Sequence, residues 1–238
     1  MVIGLDSRKI LQTARKLHQR MVERFPNRGL TGVGEQVCDV AVEIVAVSAW
    51  LKRPLMWYRL LAAALTIAII ASLIGAFVYL RTGEEALNLL VFVQALESGV
   101  NDAIFIALAI YFFVTLERRY KRRRALDVLH ELRSLAHIID LYQLTKDPGN
   151  IAEKQDQIDS SPEQELTTYE LKLYFDYCSD MLSIISKLAA MLVRDFDDPV
   201  TLNAVNEVEE LTSGLSRKIW QKIMVASQIV DLGKSGPS

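Results

Sequence analysis

Apolar and polar positions along this chain recur almost throughout at three- and four-residue spacing, the period of an α-helix. Ile10, Leu11, Ala14, Leu17, Met21 and Phe25 form the first stripe. It predicts a helix over about 6–25, stopped by Pro26, Asn27, Arg28 and Gly29. Arg8, Lys9, Arg15, Lys16, Arg20 and Arg24 lie mostly off that stripe, so the helix is basic and amphipathic. Such a helix can rest on an anionic membrane surface, or pack on its neighbours and turn a solvated basic face outward. A second helix, about 34–51, is rich in Val, Ala and Ile and leads into Lys52, Arg53 and Pro54.

The pattern then changes. Residues 60–80 are 21 positions without a charge, about 31 Å of helix and enough to cross a bilayer core. Trp57, Tyr58 and Arg59 precede them as an interfacial anchor. Ala64, Ala68, Ser72 and Ala76 recur every fourth residue, with Ala71 and Gly75 beside them, a face that lets another helix approach closely. Residues 81–85 read as a tight polar turn. A second apolar run starts near Ala86 and ends at Leu116. Arg118, Arg119, Lys121, Arg122, Arg123 and Arg124 follow it immediately, a positive-inside signal and a second set of interface anchors.

No breaker interrupts 113–144, so the second span is expected to continue as one long cytoplasmic helix, ended by Asp147, Pro148 and Gly149. Residues 149–161 read as a loop. Ser161, Pro162 and Gln164 give an N-cap, N1 proline and N3 glutamine, predicting a helix over about 162–195. A last helix is predicted over about 199–231. Their stripes are Tyr169, Leu173, Tyr177, Met181, Ile184 and Leu188, then Val205, Val208, Leu211, Leu215, Ile219 and Ile223. They suit an antiparallel hairpin.

The expected fold class is therefore an all-α integral membrane protein. Its parts are N-terminal cytoplasmic helices (1–54), a two-helix transmembrane hairpin (55–117), a cytoplasmic extension of the second span (118–148) and a C-terminal cytoplasmic helical hairpin (149–238).

The second span carries an anomaly, LESGVND at 96–102. The apolar run after it, 103–116, is about 21 Å long and too short to recross a bilayer alone. Pairing with the first span puts Glu97 about 16 Å deep, near the midplane. At about 100° per residue, Glu97, Asn101, Gln94, Ser98 and Asp102 occupy one arc of roughly 140°. Each charged residue facing lipid there would cost about 2.5–3.5 kcal/mol. The first span offers few polar partners beyond Thr66 and Ser72, so the arcs of several subunits are expected to meet. Three readings remain open: a ring lining a cation or proton path, hydrogen-bonded glue between helices, or a docking face for a different membrane protein. A break at Gly99 into a re-entrant loop is a further geometry.

Composition adds compartment and charge. Apolar residues make up 51%, which suits a few spans attached to a substantial soluble part. Residues 1–60 carry ten Lys/Arg against five Asp/Glu, whereas 125–238 carry ten against nineteen. Cys38 and Cys178 lie in apolar helical contexts, as expected of reduced thiols in a cytoplasmic part. The start, MVIGLDSRKI, lacks the apolar core of a secretory signal. These features predict the bacterial inner membrane with both termini in the cytoplasm.

Other chemistry is sparse. His130 and His137 lie two turns apart, with Asp127, Ser134 and Asp140 near the same stripe. A metal or ligand there needs a second element or another subunit; otherwise the two histidines make inter-helix hydrogen bonds. There is no phosphate loop, GxSxG, Cys–His pairing or dinucleotide fingerprint. No enzyme activity, cofactor or nucleic-acid partner is expected. The expected function is an oligomeric ion channel gated by its cytoplasmic bundle; the alternative is a membrane-anchored scaffold or signalling adaptor with a cytoplasmic protein partner. Membrane lipid is a partner in both.

Overall fold

The computed structural model describes residues 6–26, 28–53, 56–82, 89–146, 166–194 and 196–234, though not every side chain within them. The described residues are almost all helical, with no strand among them. In chain order the helices are α1 (Ser7–Arg24), α2 (Gly29–Leu51), α3 (Met56–Thr82), α4 (Leu89–Leu144), α5 (Thr168–Val193) and α6 (Pro199–Lys234). The protein is all-α. The expected turn at 81–85 falls largely outside the described residues, as do the loop at 149–161 and the Ser161–Gln164 helix start.

Two compact units are present. One comprises residues 1–52 and 124–238, the other 53–123. In the first, α5 packs on α1, α2 and α6. The α1 stripe is buried as its spacing predicts, at Ile10, Ala14, Leu17, Met21 and Phe25, with Leu11 partly covered. Asp6 caps that helix by accepting from the Arg8 backbone N–H at 3.0 Å. On α6, Val205, Val208, Leu215, Ile219 and Ile223 are buried, and Leu211 partly so. Its start is set by Asp198, whose carboxylate accepts from the backbone N–H and the hydroxyl of Thr201, each at 3.0 Å. Pro199 follows as the first helical residue.

Helix α5 departs from its expected face. Tyr169 is exposed, and the fully buried large residues are Leu171, Phe175, Met181, Leu182, Ile185, Leu188 and Leu192. With Tyr174, Tyr177, Ile184 and Met191 also buried, the covered arc is far wider than one stripe. A helix of that kind lies inside a bundle rather than on its surface. Phe25, just past α1, meets both Tyr174 and Tyr177 edge-on with ring centroids 6.0 Å apart.

Two helix starts also differ from expectation. Helix α2 begins at Gly29 rather than near 34. The glycines that read as a loop are helical, and Gly34 works as a contact. A Cβ there would lie 3.1 Å from Met21 Cε and 3.2 Å from His18 Nδ1, so its absence lets α1 and α2 close together. Leu166 and Thr167 are not helical, and α5 starts at Thr168 behind a capping box. The Thr167 hydroxyl accepts from the Glu170 N–H, and the Glu170 carboxylate accepts from the Thr167 N–H at 2.9 Å.

In the second unit many of the described apolar side chains are exposed. Leu60, Ile67, Ile70 and Ile74 of α3 are exposed, as are Val93, Val100, Ile104, Phe105 and Leu108 of α4. Among the described residues one helix is long and apolar enough to cross a membrane, the Glu97–Leu144 stretch of α4. Helix α3 contributes the shorter apolar run Leu60–Ser72. Helix α4 is continuous through Gly99, so no re-entrant break occurs at that point.

Candidate functional site

Gln94, Glu97, Ser98, Asn101 and Asp102 all lie on α4, and all five side chains are exposed. The helix holds them by period alone, since residues three and four apart share a face. Among the described residues, none of the five hydrogen-bonds or ion-pairs with another side chain. Apolar side chains of the same helix, Val93, Val100, Ala103 and Ile104, are equally uncovered. The segment is thus two-faced: one side is suited to lipid or a partner helix, the other to water, a proton, a cation or a polar partner. On α3, Ala64, Ala68 and Ser72 are exposed, and nothing lies within 4 Å of where a Gly75 Cβ would stand. The small-residue face is likewise uncovered.

The basic segment after the apolar run is not uniform. Arg118, Arg119 and Arg123 are exposed. Lys121 is buried and pairs with Glu117 one turn back at 3.0 Å. Arg124 pairs with Glu43 of α2 at 2.7 Å, and Arg122 is half-buried and engaged. Of the anchors expected before the first apolar run, Trp57 is exposed; the Tyr58 and Arg59 side chains lie outside the described set.

His130 and His137 are exposed on α4. His130 lines a shallow groove of about 370 Å³ with Glu131, Ser134 and Leu135, opposite Gln36 and Val40 of α2. Asp140 is turned to another task, accepting from Gln143 Nε2 at 2.6 Å. Among the described residues no three His, Cys, Asp or Glu side chains gather where they could hold a metal ion.

One polar cluster was not singled out by sequence pattern. At the C-terminal end of α4, Lys222 of α6 donates to the Gln143 carbonyl at 2.8 Å and reaches the Lys146 carbonyl at 3.5 Å. The Tyr174 hydroxyl of α5 donates to the Tyr142 carbonyl at 3.3 Å. Helix ends leave their last carbonyls without intrahelical donors, and a cation there also complements the helix dipole. Lys222 also lies 5.7 Å from the Phe175 ring centre. Gln143 Oε1 and His18 Nδ1 are buried without a hydrogen-bond partner among the described residues. Burial drives the Cys178 thiol well above its ordinary range, with Lys222 partly opposing. The signal in the sequence was a lone lysine on the apolar stripe of α6, one residue before Ile223.

No protein-family model, curated protein or solved structure matches the chain.

Proposed function

We propose that the chain is a two-span protein of the bacterial inner membrane with both termini in the cytoplasm, assembling as a homo-oligomer that conducts cations or protons. One observation carries the reading: five exposed polar side chains, two of them carboxylates, share a face of α4 inside its apolar run. Left against lipid, each carboxylate would cost about 2.5–3.5 kcal/mol. Copies of α4 arranged about an axis remove that cost and create an acidic, water-accessible lining suited to cations. The open small-residue face of α3 allows the close helix approach that such an assembly needs. Because α4 continues to Leu144, the helix bearing the polar face also contributes Val128, Leu132 and Ile139 to the bundle core. Rearrangement of the bundle is therefore a natural gate.

The test is cation flux into liposomes holding the purified full chain. Glu97→Gln combined with Asp102→Asn is expected to abolish flux while leaving the oligomer's size unchanged. Wild-type protein that passes no cation and no proton, whatever the pH or voltage, overturns the proposal.

The adaptor reading is favoured by a different observation, the exposure of Trp220 and Met224 one turn apart on α6. Exposed aromatic and methionine side chains are the residue types that anchor protein interfaces. Replacing residues 56–116 with unrelated membrane spans preserves function on this reading and destroys it on the channel reading.

A further inference from the structure

Below the polar face, α4 borders a cavity of about 630 Å³ that runs from Phe105 to Arg119. That volume lies within the range of small-ligand sites, about 300–1,000 Å³. Its walls are almost wholly apolar, with Leu108, Ala109, Phe112 and Leu116 following the helical period. Thr115 also lines it, but its hydroxyl donates to the Tyr111 carbonyl at 2.7 Å. That bond satisfies the hydroxyl within the helix. At the far end stands the Arg119 guanidinium, exposed and without an ion-pair partner among the described residues. Arg123, one turn on, is also exposed and without such a partner.

We propose that this groove holds an anionic phospholipid, with an acyl chain along Phe105–Leu116 and the phosphate between Arg119 and Arg123. The inference rests on the membrane reading above and goes beyond it by naming a lipid class and its site. Length is the first argument. Fourteen helical steps from Phe105 to Arg119 rise about 21 Å, and half of a bilayer including its headgroups is roughly 20–22 Å. On this placement the groove spans one leaflet with its cations at headgroup level, and Glu97, eight residues beyond Phe105, lies about 12 Å past the midplane in the other leaflet rather than at the midplane expected from pairing with the first span. Charge is the second. Of the six basic residues that follow the apolar run, Lys121 is neutralised by Glu117 and Arg124 by Glu43. Arg122 is also engaged, and Arg118 is exposed but about 100° round the helix from Arg119. Arg119 and Arg123 share one face, where side chains four apart are neighbours. A guanidinium pair binds a phosphate diester more strongly than it binds the zwitterionic headgroup, whose own ammonium competes.

Native mass spectrometry of the full chain in mild detergent tests this, offered phosphatidylglycerol and phosphatidylcholine with identical acyl chains. Wild type is expected to retain the anionic lipid at least about fivefold over the zwitterionic one, one RT ln 5 or roughly 1 kcal/mol. Arg119→Gln with Arg123→Gln should bring the ratio to near one, and Arg119→Lys should restore part of it. Ala109→Trp, which fills the groove, should lower retention of both lipids, with helicity by circular dichroism confirming a folded chain in each variant. Equal retention by wild type overturns the proposal. So does a preference that survives loss of both arginines, or inorganic phosphate binding at the same arginines with no lipid retained. Alkaline extraction separates this failure from that of the membrane reading. A chain released from membranes at high pH counts against the membrane reading, whereas one that stays and shows no lipid preference counts against the groove alone.

Discussion

Arg124 Nη2 lies 2.7 Å from Glu43 Oε1, joining α4 to α2 across 81 positions of sequence. Further along α4, Arg133 makes the corresponding bond to Glu207 of α6 at 3.0 Å. The helix is thus tied to two different partners. Neither pair is buried: the side chains of Arg124 and Glu43 are 50% and 36% exposed. Exposed pairs of this kind are worth about 0–1 kcal/mol, most of it screened by salt. Glu43→Gln is therefore expected to lower stability by less than about 1 kcal/mol in low salt. In high salt the difference from wild type should vanish. Thermal unfolding of the full chain at two ionic strengths checks it; a salt-independent loss of several kcal/mol would mean the pair does more than its geometry suggests.

The capping box of α5 makes a prediction about acid. Glu170 is half-buried, and its carboxyl is held below the usual carboxylate range, first by the Thr167 backbone N–H and then by the Thr167 hydroxyl. A depressed folded-state value means the unfolded chain binds the proton more readily. The contribution is fully present above the unfolded value of about 4.3 and fades as pH falls through the folded one. Thr167→Ala should therefore narrow the gap between stability at neutral pH and at pH values below about 4. Thr167→Ser, which keeps the hydroxyl, should retain it. Unfolding monitored across that range by circular dichroism decides between them, and identical acid limbs for wild type and Thr167→Ala would show that the hydroxyl adds nothing to the backbone N–H, which alanine keeps.

How much of this was legible in the sequence depends on what each element answers to. The stripes of α1 and α6 answer to one neighbouring core, and their periods alone named the buried residues. Helix α5 answers to three neighbours at once. A single stripe through Tyr169 and Leu173 therefore missed Leu171, Phe175, Leu182 and Ile185. Gly29 and Gly32 fell outside the expected helix because intrinsic propensity disfavours glycine there. The tertiary contact of Gly34 with Met21 outweighs it. The Thr167–Glu170 box was present as TTYE but lay beside a competing start signal at 161–164. The polar face of α4 was readable because it needs only period and composition. What covers it was not, since neither period nor composition names a partner. The Lys222 cluster went unseen because lysine on an apolar stripe has no sequence signature that distinguishes a carbonyl cap from a charge whose stem lies along the core and whose tip reaches water.

Two of those glycines separate contact from propensity. At Gly29, a Cβ would meet the Tyr142 hydroxyl at 2.5 Å and its ring at 2.6 Å. Gly32 is exposed, with nothing within 4 Å of the same construction. Gly32→Ala should stabilise the protein by about 0.4–1 kcal/mol through the lower entropy of the unfolded chain. Gly29→Ala gains little propensity at the first helical position and must displace the Tyr142 ring, so it should destabilise. Paired denaturant titrations read both signs. Equal stabilisation by the two substitutions would show that Tyr142 moves aside freely.

The assembly proposed for α4 predicts which positions meet across subunits. Ser98 lies within the polar arc and Ala103 on the opposite side of the helix, both exposed in a single chain. Cysteine at Ser98 should therefore form a disulfide-linked dimer under mild oxidation in liposomes, because copies facing a common axis bring that position towards itself. Cysteine at Ala103, turned to lipid, should not. The native thiols interfere little. Cys178 is wholly buried, with its thiol far above the ordinary range. Cys38 is half-buried, its thiol raised first by burial and then by Asp39. Thiolate is the reacting species, so both are slow to oxidise near neutral pH, and Cys38→Ser removes the more accessible one. Non-reducing electrophoresis gives the answer. If Ala103→Cys dimerises and Ser98→Cys does not, the polar faces point away from the subunit contact, and α4 cannot line a shared path.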